Sequence, residues 1–228
     1  TAPVLACWQL PQPLSLLHND CHGTFTNVTA AAGLTTPSVT QTAVWTDVDN
    51  DGWLDLFVGN ENAPAELFHN TGHGTFENIA TAAGVDRIAY TKGVTAGDYD
   101  NDGYPDLYVS NYGDTNFLYH NNRNGTFTEV SRAAGVPGTP TGFATWFFDS
   151  DNDGWTDLFV TSYVSSVDEM VRDDLGVPHN ATTMKLYRNR GNGTFEDVSP
   201  AAGLDRVLMP MGSNVGDIDN DGYLDMYL

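Results

Sequence analysis

The sequence predicts an all-β protein, a β-propeller of four-stranded antiparallel blades. Three observations predict it: a repeat of about 51 residues, short strands within each repeat, and an acidic loop at one fixed place in it. The tripeptide Gly-Thr-Phe begins at Gly23, Gly74, Gly125 and Gly193. The acidic loops begin at Asp47, Asp98, Asp149 and Asp217. Both markers recur in steps of 51, 51 and 68 residues, so the extra 17 residues form one insertion, placed at 164–183.

Four short strands fit into each repeat, and the second full repeat shows them in order. Residues 93–98 lead into the acidic loop, and Asp106-Leu-Tyr-Val-Ser after it alternates apolar and polar side chains. A third strand at 116–120 precedes a turn at 122–125, and a fourth strand begins at Thr126. The segment Ser-Arg-Ala-Ala-Gly-Val that follows predicts a single helical turn or a loop. Four antiparallel strands in about 50 residues are typical of a propeller blade, whereas the coils of a β-solenoid are much shorter.

The repeats divide the chain into an N-terminal segment and a series of blades. We expect the boundaries to be a segment 1–14, a half blade 15–40, blades at about 41–91, 92–142 and 143–210, and a half blade 211–228. The two half blades are complementary. They could pair within one chain and close a ring, or pair between chains. The chain could also be a piece of a longer propeller, which the sequence favours because Leu228 stops inside a predicted strand.

Charge excludes several classes of function. The chain has 9 Lys+Arg against 30 Asp+Glu and a net charge of −21, so it would repel nucleic acids and anionic membrane surfaces. No apolar run of about 18 residues exists, so no membrane insertion is expected. With 40% hydrophobic and 11% aromatic residues, the chain can build a sizeable core. Sixteen of the 30 acidic residues lie in the four acidic loops.

The acidic loops predict structural calcium sites, about four in number. Each reads Asp-x-Asp-x-Asp-Gly-x-x-Asp, and four carboxylates within nine residues repel one another unless a cation lies among them. Side chains at the first, third, fifth and ninth places converge, and the seventh carbonyl adds an oxygen. An all-oxygen set favours Ca²⁺ over Zn²⁺ or Mg²⁺. The predicted ligands are Asp47, Asp49, Asp51, Trp53, Asp55, Asp98, Asp100, Asp102, Tyr104, Asp106, Asp149, Asp151, Asp153, Trp155, Asp157, Asp217, Asp219, Asp221, Tyr223 and Asp225.

An EF-hand is the main alternative for such a loop. That motif needs a bidentate Glu at its twelfth place. The residues found there are Val58, Val109, Val160 and Leu228. The flanking segments also alternate with a period of two, which is typical of strands. The EF-hand is therefore excluded.

The motif Asp-x-Asp-x-Asp-Gly-x-x-Asp-Leu with a following Asn-Gly-Thr-Phe resembles the FG-GAP/VCBS repeat. That repeat builds calcium-binding propellers in integrin α subunits and many secreted bacterial proteins. The Gly-Thr-Phe and Ala-Ala-Gly-Val/Leu segments are similar to members of the cartilage-acidic-protein type. The resemblance covers about residues 15–228 and implies calcium ligation on the loop between the first and second strands of each blade. Asp20 and Cys21, which replace Thr71 and Gly72 of the next repeat, and the insertion depart from the pattern.

Other features favour a secreted, extracellular protein. Cys7 and Cys21 are an even pair in an acidic chain with little Lys, which favours one disulfide, although two buried free thiols remain an alternative. Four glycosylation sequons occur, at Asn27, Asn124, Asn180 and Asn192.

The function predicted from these features is binding or adhesion to a glycan or a protein, without catalysis. The insertion follows a second strand, on the face opposite the acidic loops, and long loops on rigid scaffolds carry recognition. Its candidate partner residues are Asp168, Glu169, Arg172, Asp173, Asp174 and His179. Self-association through half blades and a propeller lyase or hydrolase are the alternatives, but no catalytic motif is found. His18, His69 and His120 occupy equivalent places and are interpreted as part of the repeat.

Overall fold

Three four-stranded antiparallel sheets follow one another along the chain, with a two-stranded sheet on either side of them. The computed structural model describes residues 12–164 and 166–228. The strands are β1 (Gln12–Pro13), β2 (Leu17–Asn19), β3 (Phe25–Asn27), β4 (Pro37–Ser38), β5 (Thr40–Thr46), β6 (Asp55–Pro64), β7 (Glu66–Asn70), β8 (Phe76–Asn78), β9 (Ile88–Gly97), β10 (Asp106–Asn111), β11 (Phe117–Asn121), β12 (Phe127–Glu129), β13 (Gly142–Phe148), β14 (Asp157–Ser162), β15 (Lys185–Asn189), β16 (Phe195–Asp197), β17 (Asn214–Gly216) and β18 (Asp225–Tyr227). The helices are α1 (Ala80–Ala83), α2 (Ser131–Ala134) and α3 (Val167–Asp174).

Strand order within each sheet follows chain order. The first sheet is β5 to β8, the second β9 to β12 and the third β13 to β16. The pairs β2–β3 and β17–β18 flank them, and β1 pairs with β4. The second strand of the first sheet also extends beyond its own sheet. Its end, from Glu61 to Pro64, pairs with the start of β9 and joins the first two sheets into one of eight strands. The all-β antiparallel prediction is thus confirmed.

The second strand of each full sheet is buried on both faces. All six residues of β10 are buried, because Leu107 and Val109 pack toward the first sheet while Tyr108 packs toward the third. The polar ends of the alternating pattern, Asp106 and Ser110, are buried as well. Period-two alternation therefore distributes side chains between two cores here, and not between a core and solvent.

The main cores lie between successive sheets. Phe57 and Leu67 of the first sheet pack against Leu107 and Tyr119 of the second, and all four are essentially inaccessible. Equivalent clusters lie between the second and third sheets and on the outer faces of the first and third. The sheets are therefore stacked in chain order around continuous apolar layers.

The first strands of neighbouring sheets approach each other closely. A Cβ on Gly93 of β9 would lie 2.3 Å from the carbonyl oxygen of Phe143 in β13, so only glycine fits there. Ser110 on β10 hydrogen-bonds to the same carbonyl. The sheets thus converge along their first strands.

Short helical turns connect consecutive sheets. The predicted turn at Ser131 is present as α2, and α1 is its counterpart one repeat earlier. Each ends on a glycine in the left-handed region, Gly84 at φ 78° and Gly135 at φ 83°, which stops the helix after one turn.

Two further sequence predictions concern a disulfide and the absence of a membrane-spanning segment. The predicted Cys7–Cys21 disulfide falls partly on Cys7, which is outside the described residues. Cys21 itself is exposed and forms no disulfide within the described part of the chain. No helix among the described residues is long and apolar enough to cross a bilayer.

The core between the first two sheets predicts a large mutational effect. Phe57→Ala empties a fully buried ring position, so we expect it to lower the free energy of unfolding by about 3–5 kcal/mol. Phe25→Ala removes the same ring from a site that is 62% exposed and should cost far less. Urea unfolding followed by intrinsic fluorescence measures both. Equal losses would contradict the assignment of this core.

Candidate metal centres

Four acidic loops connect the first and second strands of successive sheets, and they share one backbone conformation. At the fourth place stands an asparagine with φ between 57° and 61°, namely Asn50, Asn101, Asn152 and Asn220. At the sixth place stands a glycine with φ between 87° and 91°, namely Gly52, Gly103, Gly154 and Gly222. Both residue types tolerate the left-handed region, and this allows the sharp turns of the loop.

Backbone N–H groups orient the carboxylates of each loop. In the first loop, the amides of Asp51 and Gly52 donate to the two oxygens of Asp47, at 3.1 and 2.9 Å. The amide of Trp53 donates to Oδ1 of Asp51 at 2.8 Å. The same three bonds recur in the other loops within about 0.1 Å. The loops are therefore copies of one another in side-chain geometry as well as in sequence.

The ninth-place aspartate attaches each loop to its sheet. Asp106 is fully buried, accepts the amide of Tyr99 in its own loop at 3.2 Å, and accepts the amide of Asn121 on the third strand at 2.8 Å. Asp55 and Asp157 are held in the same way. Asp225, in the last loop, is exposed and accepts an amide within its own loop at 2.9 Å.

Burial makes these carboxyl groups reluctant to ionise without a cation. Burial raises the pKa of Asp106 to about 8, and its loop neighbours Asp100 and Asp102 add to the rise. The pKa values of Asp55 and Asp157 are raised as well, first of all by burial. A divalent cation bound beside these groups would favour their ionised form and would lower the pKa values again.

Two histidines that the sequence analysis assigned to the repeat approach the acidic loops. His69 Nδ1 lies 3.1 Å from Asp55 Oδ1 and 3.6 Å from Asp49 Oδ2. His120 Nδ1 lies 3.3 Å from Asp100 Oδ2 and 3.4 Å from Asp106 Oδ1. In the sequence, each histidine lies at the same distance from the Gly-Thr-Phe tripeptide of its repeat, and this spacing could have indicated a place near the acidic loop. The third sheet has Arg188 instead, which pairs with Glu196 at 3.3 Å.

The donor set fits a hard divalent cation. Ligand oxygens of Asp47, Asp49 and Asp55 lie within 4.8 Å of one another, as do those of Asp149, Asp151 and Asp157 in the third loop, and in the second loop those of Asp98, Asp100 and Asp102. In the second loop Asp100 Oδ1 is buried and has no hydrogen-bond partner among the described residues. An orphaned buried carboxylate oxygen within a cluster that is mostly carboxylate, with one nearby histidine nitrogen in the second loop, is an environment that Ca²⁺ satisfies.

Side-chain amides link successive loops to one another. Asn50 Nδ2 donates to the carbonyl of Gly103 at 2.8 Å, although 53 residues separate them. Asn101 donates to Gly154 at 3.2 Å, and Asn152 donates to Gly222 at 2.9 Å. Each acceptor directly precedes the seventh-place residue of the next loop. Neighbouring loops are therefore joined by hydrogen bonds, which were not predicted from the sequence.

The insertion contributes α3, at the end of β14 that lies opposite its acidic loop. Its charged residues bond mainly within the protein. Asp173 accepts Arg206 Nε at 2.9 Å, and Asp174 accepts the same guanidinium at 2.8 Å. Glu169 accepts the amide of Asn180 at 3.0 Å. Weaker contacts join Arg172 to Asp168 at 3.9 Å and His179 to Asp173 at 3.5 Å.

An apolar stripe faces solvent along the same helix and its C-cap residue, Leu175. Val167, Val171 and Leu175 are 68%, 49% and 72% exposed, and their spacing of four residues places them on one side. The partner residues predicted from the sequence were the charged residues of the insertion and did not include this stripe. The i, i+4, i+8 spacing of these apolar residues in the sequence could have indicated the stripe.

The four sequon asparagines, Asn27, Asn124, Asn180 and Asn192, are all exposed.

Known proteins share this repeat. The FG-GAP-like repeat family matches residues 47–109, 98–160 and 172–228. Cartilage acidic protein 1 of Mus musculus is 31% identical over 180 residues, which is 76% of this chain and 26% of that protein. The Homo sapiens and Xenopus tropicalis proteins of the same name are 30% and 29% identical. This chain spans about a quarter of the length of these relatives.

The amide link between loops is testable with one substitution. Asn152→Gly keeps the left-handed backbone accessible but removes the bond to Gly222, so we expect a loss of about 1 kcal/mol in the free energy of unfolding. Asn220→Gly changes the same loop position, whose side chain has no bond across loops in the described chain, and should cost less. Chemical denaturation of both variants provides the comparison. An unchanged stability for Asn152→Gly would show that the link contributes nothing.

Proposed function

We propose that this chain, which belongs to the FG-GAP-like repeat family, is a calcium-stabilised β-propeller module that binds a partner outside the cell. The propeller is supported by three sheets of four strands stacked in chain order, with convergent first strands and apolar layers between them. In this interpretation the blades are residues 41–91, 92–142 and 143–210, with half blades at 15–40 and 211–228. The extracellular location is supported by the similarity to cartilage acidic protein 1.

The observation that carries the calcium proposal is the recurrence of one carboxylate geometry in four loops. In each loop the first, third, fifth and ninth aspartates and the seventh carbonyl would hold the ion. The residue types and the buried, unpartnered Asp100 oxygen favour Ca²⁺ over softer metals. Bound calcium would supply positive charge, and the loop residues themselves supply the turn, the orientation and the attachment to the sheet.

Calcium in this arrangement is structural. A ligand that binds only the folded chain stabilises it by mass action, and extracellular calcium modules bind near 10⁻⁴–10⁻³ M, so each site contributes about 0.5–1.5 kcal/mol. About four ions would therefore affect the stability of the module considerably. They would also hold the loops on one face while leaving the opposite face free for a partner.

Removal of calcium should destabilise the protein. We expect EDTA to lower the melting temperature by several degrees, because the carboxylates then repel one another without compensation. Asp151→Asn should reduce the number of calcium ions bound from about four to about three, since it removes a third-place ligand. Asp205→Asn removes the same charge from an exposed site outside the loops and serves as the control. Isothermal titration and calorimetry measure both effects.

A melting temperature that does not respond to EDTA would contradict the calcium proposal. So would equal calcium binding by wild type and Asp151→Asn. If Asp205→Asn lost binding to the same extent, the effect would reflect net charge and not ligation.

The partner surface that the geometry supports best is the apolar stripe of α3. The helix is held through Arg206 to the segment that follows β16, so Val171 and Leu175 are presented on a fixed support. Exposed apolar side chains rimmed by charged ones are typical of recognition surfaces. Asp168, Glu169, Arg172, Asp173, Asp174 and His179 are proposed to shape this surface, mostly by fixing the insertion in place.

Binding can be tested with a glycan array and a panel of immobilised extracellular matrix proteins. Val171→Glu with Leu175→Glu should abolish a specific interaction, because both changes put charge into the apolar stripe. Leu17→Glu, at a residue that is 55% exposed on β2, should leave it intact. Equal binding by all variants would exclude α3 as the binding surface. Turnover of a bound glycan would contradict the non-catalytic role.

A further inference from the structure

The second acidic loop differs from its neighbours at one position on the adjacent turn. Two residues after the third strand, the first and third sheets carry Gly72 and Gly191. The second sheet carries Arg123 at the same place, and its φ of 61° is close to the values of 75° and 65° for the two glycines. The backbone is thus the same in all three sheets, and the arginine side chain is an addition to it.

The substitution is accompanied by a second one in the loop itself. A Cβ on Gly72 would lie 2.9 Å from Trp53, and one on Gly191 would lie 2.8 Å from Trp155, so the tryptophan rings occupy that space. The second loop has Tyr104 at the seventh place. The smaller ring and the arginine therefore occur together, whereas tryptophan occurs with glycine.

Arg123 occupies a carboxylate oxygen that the other loops leave available. Its Nε donates to Asp102 Oδ2 at 2.6 Å, while Tyr104 N donates to Oδ1 at 2.8 Å. Both oxygens of the fifth-place aspartate are thus engaged, and its side chain is only 6% exposed. The corresponding Oδ2 atoms of Asp51 and Asp153 have no hydrogen-bond partner among the described residues.

We propose that Arg123 acts as a resident cation of the second loop, which therefore binds calcium more weakly than the first and third loops and stays ordered without it. This inference rests on the proposed calcium function. Calcium that takes Asp102 Oδ2 must share that oxygen with a guanidinium or displace it, and the two positive charges repel each other. Without calcium, the same guanidinium offsets part of the carboxylate repulsion. Removal of calcium by a chelator should then disorder the first and third loops before the second loop.

The sixth-place glycine amides report each loop separately in a calcium titration followed by ¹⁵N–¹H NMR. In the wild type, we expect Gly103 to titrate at a calcium concentration about tenfold higher than Gly52 and Gly154, because the guanidinium repels the divalent ion through a water-like medium. Arg123→Gly should remove this difference. It should also make amide exchange at Gly103 in EDTA as fast as at Gly52.

Two further variants keep the test decisive. Arg123→Gln removes the charge with less change in side-chain size, and replaces Arg123→Gly as the test if that variant is poorly folded. It should change the calcium midpoint of Gly103 in the same direction. Arg190→Ala removes an equal charge from the corresponding turn of the third sheet, where Arg190 pairs with Glu196 at 3.4 Å. This variant should leave the calcium midpoint of Gly103 unchanged. Trp53→Tyr with Gly72→Arg should transfer the weak binding to Gly52.

The outcomes separate this inference from the proposed function. If no glycine amide titrates with calcium, the calcium function itself fails. If all titrate but Gly103 has the same midpoint as Gly52 and Gly154 in the wild type, the resident-cation role is wrong. The role is equally wrong if neither Arg123 variant changes the calcium midpoint of Gly103, or if Arg190→Ala changes that midpoint as much as they do.

Discussion

The structure depends on a buried carboxylate at the start of each central strand. Asp55, Asp106 and Asp157 each accept one amide from their own acidic loop and one from the third strand. One side chain therefore fixes the loop, the second strand and the third strand relative to one another. The same burial raises the pKa of these carboxyl groups, and a bound cation would favour their ionised form. The tertiary fold and the proposed metal sites thus have one physical origin.

The loops and the sheets form a single connected system. Asn121 and Asn189 donate to the carbonyls of Val48 and Tyr99 in the preceding loop, while the fourth-place asparagines link each loop to the next. These bonds lie at one edge of the stacked sheets, and the apolar layers lie between the sheets. An ion bound in one loop would therefore restrain the neighbouring loop. At the opposite edge the end of β6 pairs with β9, Tyr112 bridges to Thr141, and the insertion departs from the repeat.

The insertion shows why charged residues are uncertain guides to a binding surface. Its acidic residues hold α3 to Arg206 and to neighbouring amides, because an exposed loop of this length needs polar anchors. Side chains that satisfy each other are less available to a partner. The exposed apolar residues of α3 have no such partners, and their burial would contribute free energy to binding.

The sequence by itself determined the repeat, the antiparallel strands, a helical turn or a loop before the third sheet, and the positions of the four acidic loops. Each of these follows from local rules: spacing, period-two alternation, and the left-handed conformations that asparagine and glycine permit. Tertiary structure alone decided that β10 is buried on both faces, that β6 pairs with β9, that asparagines bridge successive loops and that Arg123 reaches Asp102. These contacts join residues that are mostly far apart in the chain. Their partners are selected by the stacking of whole sheets, and no local pattern encodes that stacking.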